Sequence, residues 1–164
     1  MSVYYPPTGF HFRVEFMGVS GADSDTEQRF QEVSGLSFEV ETEELREGGE
    51  NRFTYKLPKR AKYPNLILKR GLLTNTALLN WLKDALRTYF TVVIYDFKPA
   101  DLVITLLDEA DAQVAVWKVV QAYPVKWSTA DLKATENAIL VETIELAYQY
   151  FERLPVKDTT VFKG

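Results

Sequence analysis

The sequence contains no cysteine and a single histidine, His11. The first absence excludes disulfides, thiolate metal sites and a cysteine nucleophile, and it is compatible with a reducing compartment. The second leaves any Ser-His-Asp arrangement dependent on His11 alone. That residue shares the polar side of an alternating segment with Arg13 and Glu15, and it reads as a surface histidine. No stretch approaches the roughly 20 apolar residues that a membrane helix needs. The opening residues MSVYYPPTGFHF lack the basic-then-apolar order of a signal peptide. Internal repeats and low-complexity tracts are also missing. The net charge of −4 argues against affinity of the whole domain for nucleic acid.

The motifs that carry chemistry fail on spacing. Asp23, Asp25 and Glu27 sit at the first positions of a calcium loop, but its sixth position needs glycine and its twelfth glutamate, and Gln28 and Ser34 stand there. The stretch GGENR is too short for a phosphate loop and lacks its terminal lysine and hydroxyl residue. Gly18 to Gly21 reads GVSG, not the Gly-x-Ser-x-Gly of a nucleophile elbow. The expectation is a protein with no catalytic residues, no metal and no cofactor.

What is present is a chain of 164 residues, 46% hydrophobic and 26% charged, of a size for one domain with a real core. Aromatic residues make up 13%, which favours strands. In GFHFRVEFMGV, Phe10, Phe12, Val14 and Phe16 alternate with His11, Arg13 and Glu15, the pattern of a half-buried strand. A polar loop follows at SGADSDTEQ. RFQEVSGLSFEVETEEL reads as two short strands, or one strand kinked at Gly35. Leu36, Phe38 and Val40 lie on one face of it and Glu39, Glu41 and Glu43 on the other. TNTALLNWLKDALRTY is the one convincing helix, with Leu78, Trp81, Leu82, Ala85, Leu86 and Tyr89 at helical spacing and Thr74 or Asn75 as cap. FTVVIY and DLVITLLD are strand-like, DEADAQ is a turn, and VAVWKVVQAY is a strand expected to stop at Pro124, with Val114, Val116 and Val119 buried. Ala138–Phe151 carries both periods, but its β-branched and aromatic content favours strand. The sum is a mainly β protein with one helix, its strands mostly antiparallel in a barrel or sandwich.

Charge is segregated in the middle of the chain. Phe38–Leu45 holds four glutamates and no base. Around and beyond the turn at Gly48-Gly49, the residues from Arg46 to Gly71 include Arg46, Arg52, Lys56, Lys59, Arg60, Lys62, Lys69 and Arg70, against Glu47 and Glu50. NRFTYKL alternates Phe53, Tyr55 and Leu57 with Arg52, Thr54 and Lys56, so this region reads as a long hairpin with an acidic outgoing strand and a basic return. PKRAKYP reads as a basic loop and NLILKRG as a short strand. Opposite charges across strands contribute roughly 0.2–1 kcal/mol per pair, so pairing inside the hairpin is one explanation of the segregation. A second is a nucleic-acid surface on the basic 52–70 segment, with Phe53, Tyr55 and Tyr63 stacking on bases. Against it, Phe53 and Tyr55 share a face with Leu57, as on a strand that faces the core.

The segments YPPTGFHFRVEF, FQEVSGLSFEVETEEL, REGGENRFTYKLPKRAKYPNLILKRGL and AYPVKWSTADLKATENAILVETIELAYQYF together resemble the tail-tube protein family of contractile injection systems. That family includes tube proteins of contractile-tailed phages, of extracellular phage-tail-like particles and, in fold, of type VI secretion. The resemblance implies a tail-tube domain over 1–153, with 154–164 a C-terminal extension. It implies an antiparallel barrel or sandwich with a flanking helix and a long hairpin excursion. It also implies sixfold rings of identical subunits, stacked into a hollow tube inside a sheath and driven through a target envelope. Implied partners are neighbouring rings, a spike or hub protein, and the sheath and baseplate. No membrane anchor and no specific nucleic-acid ligand are implied. Assembly is expected in the cytoplasm, before incorporation into a phage tail or tail-like particle. GFHFRVEF, EGGENRFTYKLP and LAYQYF are closer to the layer that joins tube to spike than to the bulk tube. Stacked rings need two different complementary surfaces on each subunit. Glu39, Glu41, Glu43, Glu44, Arg46, Arg52, Lys56, Lys59, Arg60 and Lys62 are the candidate ring-interface residues, and Glu39, Glu41 and Glu43 are also candidates to face the lumen.

Overall fold

The computed structural model describes residues 9–21, 29–49, 52–71, 77–90, 98–135 and 140–156. The acidic loop around Asp23, Asp25 and Glu27, the caps Thr74 and Asn75, the FTVVIY strand and residues 157–164 lie outside the described residues. In chain order the elements are β1 (His11–Met17), β2 (Arg29–Phe30), β3 (Glu32–Ser34), β4 (Glu39–Leu45), β5 (Tyr55–Lys62), β6 (Leu66–Gly71), α1 (Ala77–Phe90), β7 (Ala100–Leu107), β8 (Gln113–Thr129), β9 (Val141–Ala147) and β10 (Tyr150–Leu154).

Eight strands form one antiparallel sheet in the order β2-β1-β7-β8-β9-β6-β3, with β10 pairing β8 outside that path. The sheet folds over itself through β8, whose 17 residues pair with β7 along one half and with β9 along the other. The crossover point has a visible cause. Gln121 adopts φ 54°, an uncommon conformation for a residue with a side chain, and its N–H donates to Asp101 Oδ1 at 2.9 Å. The ladder slips near there and again beside Pro124, so β8 bends from one layer into the other. The two ends of the path meet again at a single residue. Gln31 separates β2 from β3, and its N–H donates to Lys69 O at 2.8 Å. The result is sandwich-like rather than a closed barrel.

The core lies between the layers. Val14, Phe16, Leu102, Ile104, Leu66, Leu68, Ile144 and Leu146 point into it from alternating strand positions. The helix α1 closes one side by burying Leu78, Leu82 and Ala85. Burying each leucine contributes on the order of 1.5–3 kcal/mol. Glu142 is buried on the same face of β9 as Ile144 and stands opposite Arg70 of β6 in the ladder.

Three expectations require correction. Pro124 does not end the strand: it is buried within β8 beside a ladder slip, where a proline's missing donor is tolerated. The stretch PKRAKYP is not a loop, since Pro58–Lys62 belongs to β5. A two-stranded ribbon has free edges, so Pro58 can sit opposite Thr42 with its nitrogen away from the partner. Val114 is exposed while Val116 and Val119 are buried. In the first strand, Phe10 is likewise exposed and Phe12 only partly buried, so the inward row begins in earnest at Val14. The strand reading of 138–151 holds for β9 and β10, and Leu36 packs on the core.

Gly35 divides the chain between the main sheet and the separate pair β4–β5. Its φ is +94°, and a Cβ there would run into the backbone carbonyl of Asn65. Left-handed backbone costs an L-residue about 1–2 kcal/mol, and overpacking adds about 1–3. Gly35→Ala is therefore expected to lower unfolding free energy by about 2–5 kcal/mol in urea melts, whereas Gly48→Ala, with open space around it, should change it little.

Tyr148 anchors the same corner, donating its phenol to Gly35 O at 3.0 Å. Burial first, and the neighbouring Tyr63 second, push its pKa up to about 12. The folded state therefore holds a proton that the unfolded chain releases near the ordinary value of 10. The stabilisation is full below pH 10 and is lost as pH rises towards 12. Tyr148→Phe should flatten this part of the stability–pH curve while lowering stability at neutral pH, and the 295 nm absorbance of tyrosinate should lose its latest-titrating component.

Candidate functional site

The strands β4 and β5 form a ribbon of their own, apart from the main sheet. Every residue of β5 is exposed, and in β4 every residue but the half-buried Glu41 is exposed. An isolated two-stranded ribbon is marginal in water, so this arm needs support at its foot. Phe38, just before β4, and Tyr63, just after β5, close on each other at 6.3 Å between ring centres. Both rest on the β9–β10 corner: Tyr63 lies 5.8 Å from Tyr148 and 5.7 Å from Phe151 in edge-on geometry. Such aromatic pairs add about 0.5–1.5 kcal/mol each beyond buried area. The arm is thereby joined to the body at both of its strands.

Along the arm the charges meet as the segregated sequence suggests. Lys59 Nζ approaches Glu43 Oε2 at 3.2 Å, and Lys62 pairs with Glu41. The hydrogen bond from Glu41, then its charge, holds Lys62 above the ordinary lysine pKa. Glu39 and Lys62, and Glu44 and Lys56, stand opposite each other in the ladder. Pairing within one subunit thus uses at least four of the ten candidate interface residues. Among the described residues, Glu39, Glu44, Arg46, Lys56 and Arg60 make no ion pair.

A slip in the ladder between Val40 and Thr42 places two residues, Lys59 and Arg60, against Glu41 alone. Beyond this bulge Leu57 faces Glu43 and Tyr55 faces Leu45. Residues opposite each other in a ladder share a face. Leu45, Tyr55 and Leu57 therefore form one apolar surface, each close to half exposed, and Phe53 packs edge-on to Tyr55 at 5.0 Å. The alternation of Phe53, Tyr55 and Leu57 is real, but the row does not face the core. Alternation says that two faces differ; it does not say what covers the apolar one.

Nothing in this arrangement suits catalysis. His11 Nε2 is paired with Asp111 at 2.7 Å on the surface. Among the described residues no group of three His, Asp or Glu could hold a metal ion, and no helix is long and apolar enough to cross a membrane. The arrangement is an antiparallel sandwich with a flanking helix and an exposed, half-apolar arm.

The T4-like virus tail tube protein gp19 family matches residues 8–152, and the chain belongs to it. It is a tail-tube-type structural protein of contractile injection systems, not an enzyme. A chain in the sixfold-symmetrised baseplate of the anti-feeding prophage is 32% identical, with TM-score 0.73, over 96% of this chain and 99% of that one. A chain in the extended sheath–tube complex of the extracellular injection system PVC is 25% identical, with TM-score 0.70, over 94% of this chain and 95% of that one. A type six secretion system protein shares the fold at 12% identity and TM-score 0.59, over 88% and 83%. No curated protein sequence matches the chain.

Exposed ion pairs are worth about 0–1 kcal/mol each. Reversing Lys59, Arg60 and Lys62 to glutamate should therefore lower the melting temperature by no more than roughly 4–8 °C for a chain of this size, measured by calorimetry, while leaving the far-ultraviolet circular dichroism unchanged.

Proposed function

We propose that the chain is an inner-tube subunit that forms sixfold rings, that the rings stack into a hollow tube driven through a target envelope, and that it occupies the spike-proximal layer. The observation that carries the assembly reading is the arm: a ribbon with Leu45, Tyr55 and Leu57 exposed on one face and firmly rooted at its foot. A surface of this kind is stable in water only at a cost and gains by burial against another chain. Ring stacking is heterologous, so the arm meets a different surface on its neighbour. The remaining unpaired charges, Glu39, Glu44, Arg46, Lys56 and Arg60, then set register and polarity more than affinity.

The spike-proximal placement is supported by the greater identity to the chain of a baseplate than to the chain of a sheath–tube complex. In that position one ring face meets a spike or hub protein and the other meets the first ring of the tube, with sheath and baseplate around them. Residues 1–153 act as the tail-tube domain and 154–164 as an extension, and assembly takes place in the cytoplasm. A nucleic-acid role for the 52–70 segment is disfavoured because glutamates of β4 lie against its lysines, where phosphates would be repelled.

Electron microscopy of the purified protein, alone and with its cognate spike, distinguishes these readings. Single sixfold rings nucleated by the spike are the expected result; long tubes of this protein alone would place it in the bulk tube instead. Leu57→Asp with Tyr55→Ser should leave the melting temperature nearly unchanged and reduce ring formation at least tenfold by sedimentation velocity. Normal rings from this variant would remove the arm from the interface.

A further inference from the structure

A second feature lies away from the arm, where β1 and β2 meet. Arg13 and Arg29 are direct partners in that ladder. Like charges directly opposite are destabilising unless something between them is negative. Within the described residues little is. Arg13 Nε is buried without a hydrogen-bond partner, and its closest acid, Glu15, is 3.7 Å away. Arg29 is exposed and makes no ion pair among the described residues. The two arginines line a pocket of about 120 Å³ with Leu107 and Asp111. Asp111 is already engaged by His11 at 2.7 Å and is fixed in a tight turn, with φ 59°. Its own turn is held by Asp108, whose carboxylate accepts from the N–H groups of Ala110 and Ala112 at 2.9 Å.

We infer that this pocket receives one glutamate carboxylate from the arm tip of a second copy of the chain. The inference rests on the assembly reading above but concerns a different surface. Two guanidinium groups lining one small pocket suit a planar carboxylate, which accepts two parallel N–H bonds. The volume admits a single such group. Asp111 at the rim repels a second negative charge, so a polyphosphate or nucleic-acid strand is excluded. The chain supplies the ligand itself. Glu44 makes no ion pair within the described residues although Lys56 stands opposite it, and Glu47 lies just beyond at the tip. At the strand rise of about 3.3 Å per residue, Glu44 stands roughly 17 Å out from Glu39, clear of its own body. The apolar face of the arm and this carboxylate would then engage one neighbour together, the first by burial and the second by direction.

The probe is a synthetic peptide with the sequence of Thr42–Gly48, titrated into the protein at low salt by calorimetry. Binding is expected to weaken at least fivefold in Arg29→Gln and to vanish when Glu44 and Glu47 of the peptide are replaced by lysine. Because Arg29 is exposed and its replacement relieves repulsion with Arg13, the variant should melt no lower than the parent. Equal binding to parent and Arg29→Gln, or binding of the lysine peptide, overturns the inference whether or not rings form. In assembly, Arg29→Glu should lower ring formation about tenfold, and mixing it with a Glu44→Arg, Glu47→Arg copy should restore it. Loss without restoration by the reversed arm also overturns it. If the parent forms no rings even with a spike, the assembly reading fails, and the peptide titration still decides the pocket.

Discussion

The arm depends on four aromatic rings at its foot. Phe38, Tyr63, Tyr148 and Phe151 come from three separate parts of the chain and meet where β4 and β5 leave the body. Without them an eight-residue strand exposed along its whole length would have no preferred direction. Gly35 makes the meeting possible, because its backbone lies where a side chain would strike Asn65, and Tyr148 binds its carbonyl. The cluster joins two properties that a tube subunit needs: a body that folds by itself and a limb presented at a fixed angle to another chain.

The body has a simple logic. One long strand, β8, belongs to both layers, and its local irregularities at Gln121 and Pro124 let one ladder become two faces of a sandwich. The helix α1 covers the side with leucines four residues apart. Such a core does not need the apolar residues of the arm for its own burial. Leu45, Tyr55 and Leu57 remain exposed in a subunit whose core rows, such as Val14 with Phe16 and Ile144 with Leu146, are covered.

Charge plays a smaller part than its segregation suggests. Lys59 with Glu43 and Lys62 with Glu41 satisfy one another in water, where each pair contributes little. Their value is in keeping the ribbon in register across a bulge. A strand edge in the open is also a liability, and the charged side chains and Pro58 along β5 discourage pairing with unrelated strands.

Much of the fold was legible in the residue order, because side-chain alternation and helical spacing are local properties. Val14 and Phe16, the leucines of α1, and Ile144 and Leu146 could be assigned inward from their neighbours alone. The hairpin and its Gly48-Gly49 turn were legible for the same reason, since opposite charges flank residues that tolerate unusual backbone angles. The candidate site was legible only in part. The sequence marks Phe53, Tyr55 and Leu57 as a distinct apolar row, but the same row would serve a core equally well. Only tertiary structure decides that no layer built from the described residues reaches it, and that the bulge opposite Glu41 turns it to the side of Leu45. The same holds for Arg13 and Arg29, which are 16 positions apart and become neighbours only through the β1–β2 ladder. Periodicity records what each residue's two sides are like; which side finds a partner depends on contacts between distant segments, and those exist only once the chain has folded.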